Sequence, residues 1–235
     1  MAMATRGPVV NRLIAGLPRA ERNRILEDCE RVDLVFGSTL CEPGKSFQYV
    51  YFPLTAFVSL VETVGNHRPL EVGLVGNEGM LGVTLALGVD AARLRGVVQG
   101  PGVALRMSAS DLKSSLRTSP HLLRTLNRYM YVLMAQMSQI AACSCFHAVE
   151  ARLARWLLMM HDRAHTDHFH LTHELLADTL GVRRSAVTIS AGVLQKKKLI
   201  RYRRGEISIL DREGLEAATC ECYGIVVDDY TRLLS

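Results

Sequence analysis

Apolar positions along the chain change period twice, from short runs to a long helical repeat and then to compact helical pieces. Residues 11–30 carry Leu13, Ile14 and Leu17, then Ile25 and Leu26 after Pro18, and read as helix on one apolar side. Over residues 32–107 the runs shorten and become β-branched and aromatic: 32–36, 49–52, 56–64, 70–75, 96–98 and 103–107. Gly, Pro or Asn turn signals separate them about every eight to twelve residues, which predicts an all-β sandwich or barrel and not a parallel sheet.

Ser108 then caps a short helix with Asp111 in its first turn, and Ser119-Pro120 opens a much longer one. Along it Leu123, Leu126, Met130, Leu133, Met137, Ile140, Ser144 and His147 fall at alternating three- and four-residue steps. That is an a/d seam over about three heptads, a length that suits packing on its own domain as well as the parallel homodimer expected here. Residues 146–163 hold another helix (Val149, Leu153, Trp156, Leu157), and 164–170 read as a polar, His-rich linker. His161, His165, His168 and His170 come without carboxylate or Cys partners at metal-ligand spacing, so no metal is expected there.

Residues 171–210 read as helix, tight turn, helix and a two-stranded wing. The spine is Leu176, Ala177, Leu180, Gly181, Val182 and Val187, with small Ala177 for close helix approach and Gly181 for the turn. Thr172 caps the first helix and Glu174 suits its first turn. The second helix runs from Arg184 to Lys196. Asp211 caps a last helix ending in Cys-Glu-Cys-Tyr, followed by an acidic tail.

Charge sharpens this picture. The whole chain carries +5, but from Arg183 to Arg204 there are eight Lys or Arg and no Asp or Glu. So unbalanced a field fits phosphates better than a protein partner. With 49% hydrophobic and 22% charged residues the chain reads as soluble and globular, and no run approaches a membrane span. The first eleven residues lack the apolar core of a signal peptide, so a cytoplasmic location with reduced cysteines is expected. No nucleophile elbow, P-loop, Rossmann glycine pattern or hydrolase metal motif occurs, and no enzyme is expected.

This order of elements resembles the Crp/Fnr superfamily of bacterial transcription regulators. The carriers are the Asn77-Glu78-Gly79-Met80-Leu81-Gly82 turn, the segment from Phe146 to Ala154, and above all Leu180-Gly181-Val182-Arg183-Arg184-Ser185-Ala186-Val187. The resemblance implies an α+β chain: a cyclic-nucleotide-binding-like β-roll sensor (1–118), a dimerisation helix (119–147) and a winged helix-turn-helix (148–235). It implies that Arg184 reads guanine, that Ser185 and Thr188 reach bases or phosphate, and that Thr172, Arg183, Lys196, Arg201, Arg203 and Arg204 complete the DNA surface. Ile189 stands where a second base-reading Arg is usual, and Ser190 where an apolar core residue is usual. Leu126, Met130, Leu133, Met137 and Ile140 would form the dimer interface.

For the effector the resemblance points to Gly82, Val83, Arg93, Arg95, Met137 and Ser138. Cyclic-AMP-binding members have a Gly-Glu pair and an adjacent Arg-Ser, whereas here Val83 follows Gly82 and Arg93 and Arg95 are split by Leu94. Cyclic AMP is therefore disfavoured, the effector is left unidentified and no cofactor is expected. The partners implied are a palindromic DNA operator, a second copy of the chain and RNA polymerase, with no membrane. Cys143-Ser-Cys145 and Cys220-Glu-Cys222 are tighter than the Cys-x₂-Cys of zinc sites, so packing roles are expected for them. A small-molecule or cysteine redox sensor acting through a protein partner is the rival reading.

Overall fold

The computed structural model describes residues 10–164 and 166–234; the first nine residues, read as no signal peptide, and the linker's His165 fall outside them. The chain divides into two compact units, one of residues 1–58, 75–131 and 233–235, the other of 59–74 and 132–232. The β-rich part is thus not undivided: strand residues 59–62 and 70–74, with their connection, group with the C-terminal half.

The first unit opens with α1 (Arg12–Ala15) and α2 (Arg19–Glu27). Asn11 caps α1 by accepting from the Leu13 and Ile14 amides, and Pro18 precedes α2. The expected single apolar side holds for Leu13, Ile14, Leu17 and Ile25, whereas Leu26 is exposed. The strands are β1 (Glu30–Leu34), β2 (Thr39–Cys41), β3 (Tyr49–Pro53), β4 (Phe57–Glu62), β5 (Leu70–Val75), β6 (Arg95–Gly100) and β7 (Gly102–Ser108). They form a three-stranded sheet ordered β1-β7-β3 and a four-stranded one ordered β2-β6-β4-β5. β7 is antiparallel to both neighbours, pairing Ala104 with Val32 and Leu105 with Phe52. The expected β architecture is present, and β1 ends at Leu34, short of its apolar run 32–36, where Val35 and Phe36 are exposed.

Local chemistry explains the Asn77-to-Gly82 turn. Asn11 donates to the carbonyls of Pro53 and Gly79, and Arg12 N–H donates to the Asn77 carbonyl. A Cβ on Gly79 would collide with the Tyr129 ring, so this glycine lets the turn and the long helix that carries Tyr129 approach. Gly82, at φ +95°, then starts a 3₁₀ turn over Val83–Leu87.

Ser108 accepts from the Asp111 amide and begins α3 (Ala109–Thr118), and Ser119 accepts from Leu122 at the head of α4 (Pro120–Phe146). Within the chain the buried stripe of α4 is Leu122, Leu126, Tyr129, Leu133, Gln136, Ile140 and Cys143. That stripe also steps by three and four, but it is rotated from the expected seam. Of the residues expected at a dimer seam, Leu126, Leu133 and Ile140 are buried within the chain itself, whereas Met130 and Met137 are half-buried. Gln136 is buried because its side chain accepts from the Leu74 amide and donates to the Tyr230 hydroxyl.

The second unit continues with α5 (Val149–Ala164), β8 (His168–His170), α6 (His173–Leu180), α7 (Arg184–Lys196), β9 (Ile200–Arg203), β10 (Glu206–Ile209), α8 (Arg212–Ala217) and α9 (Cys222–Leu234). Its core is Leu153, Ala154, Leu157 and Leu158 of α5 against α6, α7 and α8, with Leu176, Val187, Leu194 and Leu215 fully buried. Two expectations are corrected. The linker contains β8, which joins the wing as a third strand because Phe169 is buried and pairs with Ile207. Asp211 caps only the short α8, and the acidic tail is the helix α9, held by buried Cys222, Val226 and Tyr230 at four-residue steps.

Candidate nucleic-acid interface

The helix-turn-helix stands as the spine predicts. Thr172 accepts from the Leu175 amide at 3.1 Å to cap α6. Gly181 ends it in the left-handed region at φ +63°, its amide bonded to the Ala177 and Asp178 carbonyls. Arg152, a buried guanidinium of α5, donates to the Leu180 carbonyl just before the turn. A Cβ at Gly181 would sit 2.7 Å from a terminal methyl of Leu70, which can give way, so it is the positive φ that calls for glycine here.

Helix α7 buries Val187, Ser190, Ala191 and Leu194 and turns Arg183, Arg184, Ser185, Thr188 and Lys196 to the outside. Ser190 is therefore a core residue despite its hydroxyl, and Ile189 is 69% exposed. An exposed Ile on a reading face offers contact to a thymine methyl where an Arg would offer two donors to guanine.

The sequence missed the residues that steady Thr188. Its hydroxyl donates to the Arg184 carbonyl at 3.0 Å, leaving an oxygen lone pair for His173 Nδ1 at 2.9 Å. The His173 ring stacks on Tyr202 with centroids 4.3 Å apart. Burial first, then neighbouring Arg184, pushes His173 below the usual imidazole range, so the ring is neutral and acts as a wedge between α7 and the wing. The wing is fastened again where the Tyr202 amide donates to Gln195 at 2.6 Å. Lys197 is taken out of the basic surface by Glu150 of α5 at 2.7 Å.

Arg201, Arg203 and Arg204 are exposed on the wing. Its tip pairs Arg203 with Glu206 across a two-residue loop, Arg204-Gly205, with φ of +52° and +84°. Two positive values in a two-residue hairpin define the turn type that favours Asn-Gly or Gly-Gly. Among the described residues, Lys198 (φ +59°) and Arg204 are the two non-glycine residues in this region, and both are basic. The chain keeps charge at positions where backbone energy favours glycine.

Of the expected effector residues, Gly82 takes the left-handed conformation that opens the 3₁₀ turn. Val83 is buried, Arg95 bonds Glu42 at 2.9 Å on the surface, and Arg93 precedes β6, so the two arginines do not share a strand face. Met137 is half-buried and Ser138 exposed, and both belong to the other unit. A cavity of about 330 Å³ in the first unit is instead lined by Asn11, Ile14, Arg22, Leu26, Leu54 and Leu105 among others. The histidines of the expected linker are spread over separate partners: His161 with Asp167, His168 with Ser208 and His170 with Glu206. No helix among the described residues is long and apolar enough to cross a membrane.

The Crp-like helix-turn-helix domain family matches residues 151–218. No curated protein matches the chain. Among solved structures, FixK2 from Bradyrhizobium japonicum aligns with a TM-score of 0.68 at 14% identity, over 82% of this chain and 98% of its own. The c-di-GMP-responsive global regulator CLP of Xanthomonas campestris aligns at 0.66 and 17% identity, over 82% and 99%. A CRP/FNR-family transcriptional regulator from Thermus thermophilus gives 0.66 and 21% identity, over 80% and 97%. Residues 151–218 therefore form a Crp-like helix-turn-helix domain, in a chain with the fold of the Crp/Fnr-family transcriptional regulators.

Proposed function

We propose that this protein is a dimeric, sequence-specific DNA-binding transcription regulator. The observation that carries the reading is the outer face of α7 and the wing: exposed Arg183, Arg184, Ser185, Thr188, Lys196, Arg201, Arg203 and Arg204 lie on a buttressed helix and hairpin. On this reading the N-terminal turn of α7 enters a major groove, Arg184 takes guanine O6 and N7, and Ile189 meets a thymine methyl. The remaining cations, with Thr172, hold phosphates and set the register. A second copy supplies the other half-site, and contact with RNA polymerase follows from the same reading.

Control comes from an effector that is not cyclic AMP. Val83 offers no acceptor for a ribose hydroxyl, and Arg95 is already paired with Glu42. One missing charged hydrogen bond weakens a ligand by about 1.5–3 kcal/mol.

The test is fluorescence anisotropy on a selected operator and on a scrambled duplex. Arg184→Ala weakens operator binding by about 1–3 kcal/mol and relaxes preference at one base pair per half-site, with little change on scrambled DNA. Equal affinity of the intact protein for both duplexes would overturn the reading.

A further inference from the structure

A second constellation lies away from the DNA surface, and neither the fold nor the proposed function accounts for it. Cys143 and His147 stand one turn apart at the end of α4, the His147 amide bonded to the Cys143 carbonyl at 3.1 Å. Cys220 and Cys222 flank Glu221 at the head of α9. Sγ of Cys143 is 3.5 Å from Sγ of Cys220, and Nδ1 of His147 is 3.5 Å from Sγ of Cys222. All four ligand atoms lie within 4.8 Å of one another. A tetrahedron with Zn–S near 2.3 Å and Zn–N near 2.0 Å has S···S edges of about 3.8 Å and S···N edges of about 3.5 Å. The Cys143–Cys220 and Cys222–His147 edges come close to those lengths, and the remaining edges are at most 4.8 Å.

Its surroundings are those of a ligand set and not of packed thiols. Cys143 and Cys222 are fully buried and Cys220 is 8% exposed. His147 Nε2 lies 3.3 Å from the Glu221 carboxylate, which holds the proton on Nε2 and leaves Nδ1 a lone pair facing the sulfurs. Gln139 donates to the Cys222 sulfur at 2.9 Å, as an amide does to a thiolate. A disulfide between Cys143 and Cys220 would leave Cys222, His147 and its oriented tautomer without a role. Neighbouring Cys145 is exposed and belongs to no such group.

We propose that Cys143, His147, Cys220 and Cys222 bind one Zn²⁺ ion that clasps the start of α9 to the end of α4. Three sulfurs and one imidazole suit zinc, and the four ligands fill the tetrahedron without an open position, so the site is structural and not catalytic. The clasp completes a join whose other end is the Gln136–Tyr230 hydrogen bond at 2.7 Å. Deprotonated thiols and neutral imidazole are required, so binding releases protons and metal stabilises the fold.

The test is metal analysis of untagged protein purified under reducing conditions, with Co²⁺ exchanged into the metal-stripped chain as an optical probe. The expected result is about one zinc per chain, falling below a tenth in Cys222→Ala and unchanged in Cys145→Ala. His147→Cys keeps the metal, which separates ligand loss from misfolding. Co²⁺ gives the intense visible bands of tetrahedral thiolate coordination, and chelation lowers the melting temperature of the intact protein by several degrees. Metal-free protein that takes up no Co²⁺, iron and sulfide in place of zinc, or equal zinc in Cys222→Ala would each overturn it.

Discussion

Arg204 shows how backbone strain and charge compete at one position. It holds φ +52° beside Gly205, where a β-carbon costs roughly 1–2 kcal/mol relative to the right-handed region. Arg204→Gly is therefore expected to raise stability by up to about 1 kcal/mol while weakening DNA binding and lowering its salt dependence by about one ion. Chemical denaturation and a salt titration of operator binding check the two halves, and a variant that loses stability would contradict the strain argument. Glu71 poses a different residue-scale question. It accepts from Trp156 Nε1 at 2.7 Å and from the Ser59 hydroxyl, and burial pushes its carboxyl up to about 7 against the pull of those donors and of Arg155 and Arg163. A carboxyl raised in the folded state binds more protons there than when unfolded, so stability falls as pH rises from the ordinary carboxylate range to about 7. Glu71→Gln keeps an acceptor for Trp156 and removes this dependence, so its melting temperature gains on the parent protein between pH 5 and 8. Parallel pH profiles would refute the assignment.

At the scale of elements, capping and turn chemistry was legible where one residue type decides it. Ser108, Thr172 and Gly181 perform the capping and turn roles read for them, and Asp211 caps a helix, though a shorter one than read. What escaped was decided by tertiary partners. On α4 two stripes have the same period, and the polar atoms of Tyr129 and Gln136 hid the buried one, whose Gln136 is satisfied by Leu74 and Tyr230. α9 was hidden because Asp228 and Asp229 overlay a sparse apolar stripe. The cysteine–histidine cluster was invisible because its two halves are 73 to 79 positions apart, while local spacing gave two unpromising Cys-x-Cys pairs. The buried stripe of α4 changes the dimer prediction. Tyr131 (59%) and Met134 (63%) are exposed apolar residues, and with Ser138, Ala141 and Cys145 they form a three-and-four stripe opposite the buried one. Half-buried Met130 and Met137 flank it. A Tyr131→Glu, Met134→Glu double variant should sediment as a folded monomer and lose operator binding, because each charge occurs twice in a symmetric dimer. An intact dimer would exclude this face.

At the scale of the whole molecule, the second unit carries its own link between strand and helix-turn-helix. Arg68 pairs with Glu174 and, at 3.1 Å, with Asp178 of α6, while Leu70 packs under the Gly181 turn and Glu71 holds Trp156 of α5. A shift in β4 and β5 on effector binding would therefore bear directly on α6 and its turn, the kind of element through which two recognition helices change their spacing. On the proposed function this surface reads two half-sites with the symmetry of a dimer. Repeated selection of random duplex DNA on the purified protein tests it most directly. The predicted result is enrichment of an inverted repeat whose half-site centres lie about 10–10.5 base pairs, or one helical turn, apart. Recovery of unrelated sequences, or of a single half-site held equally well by monomers, would contradict it.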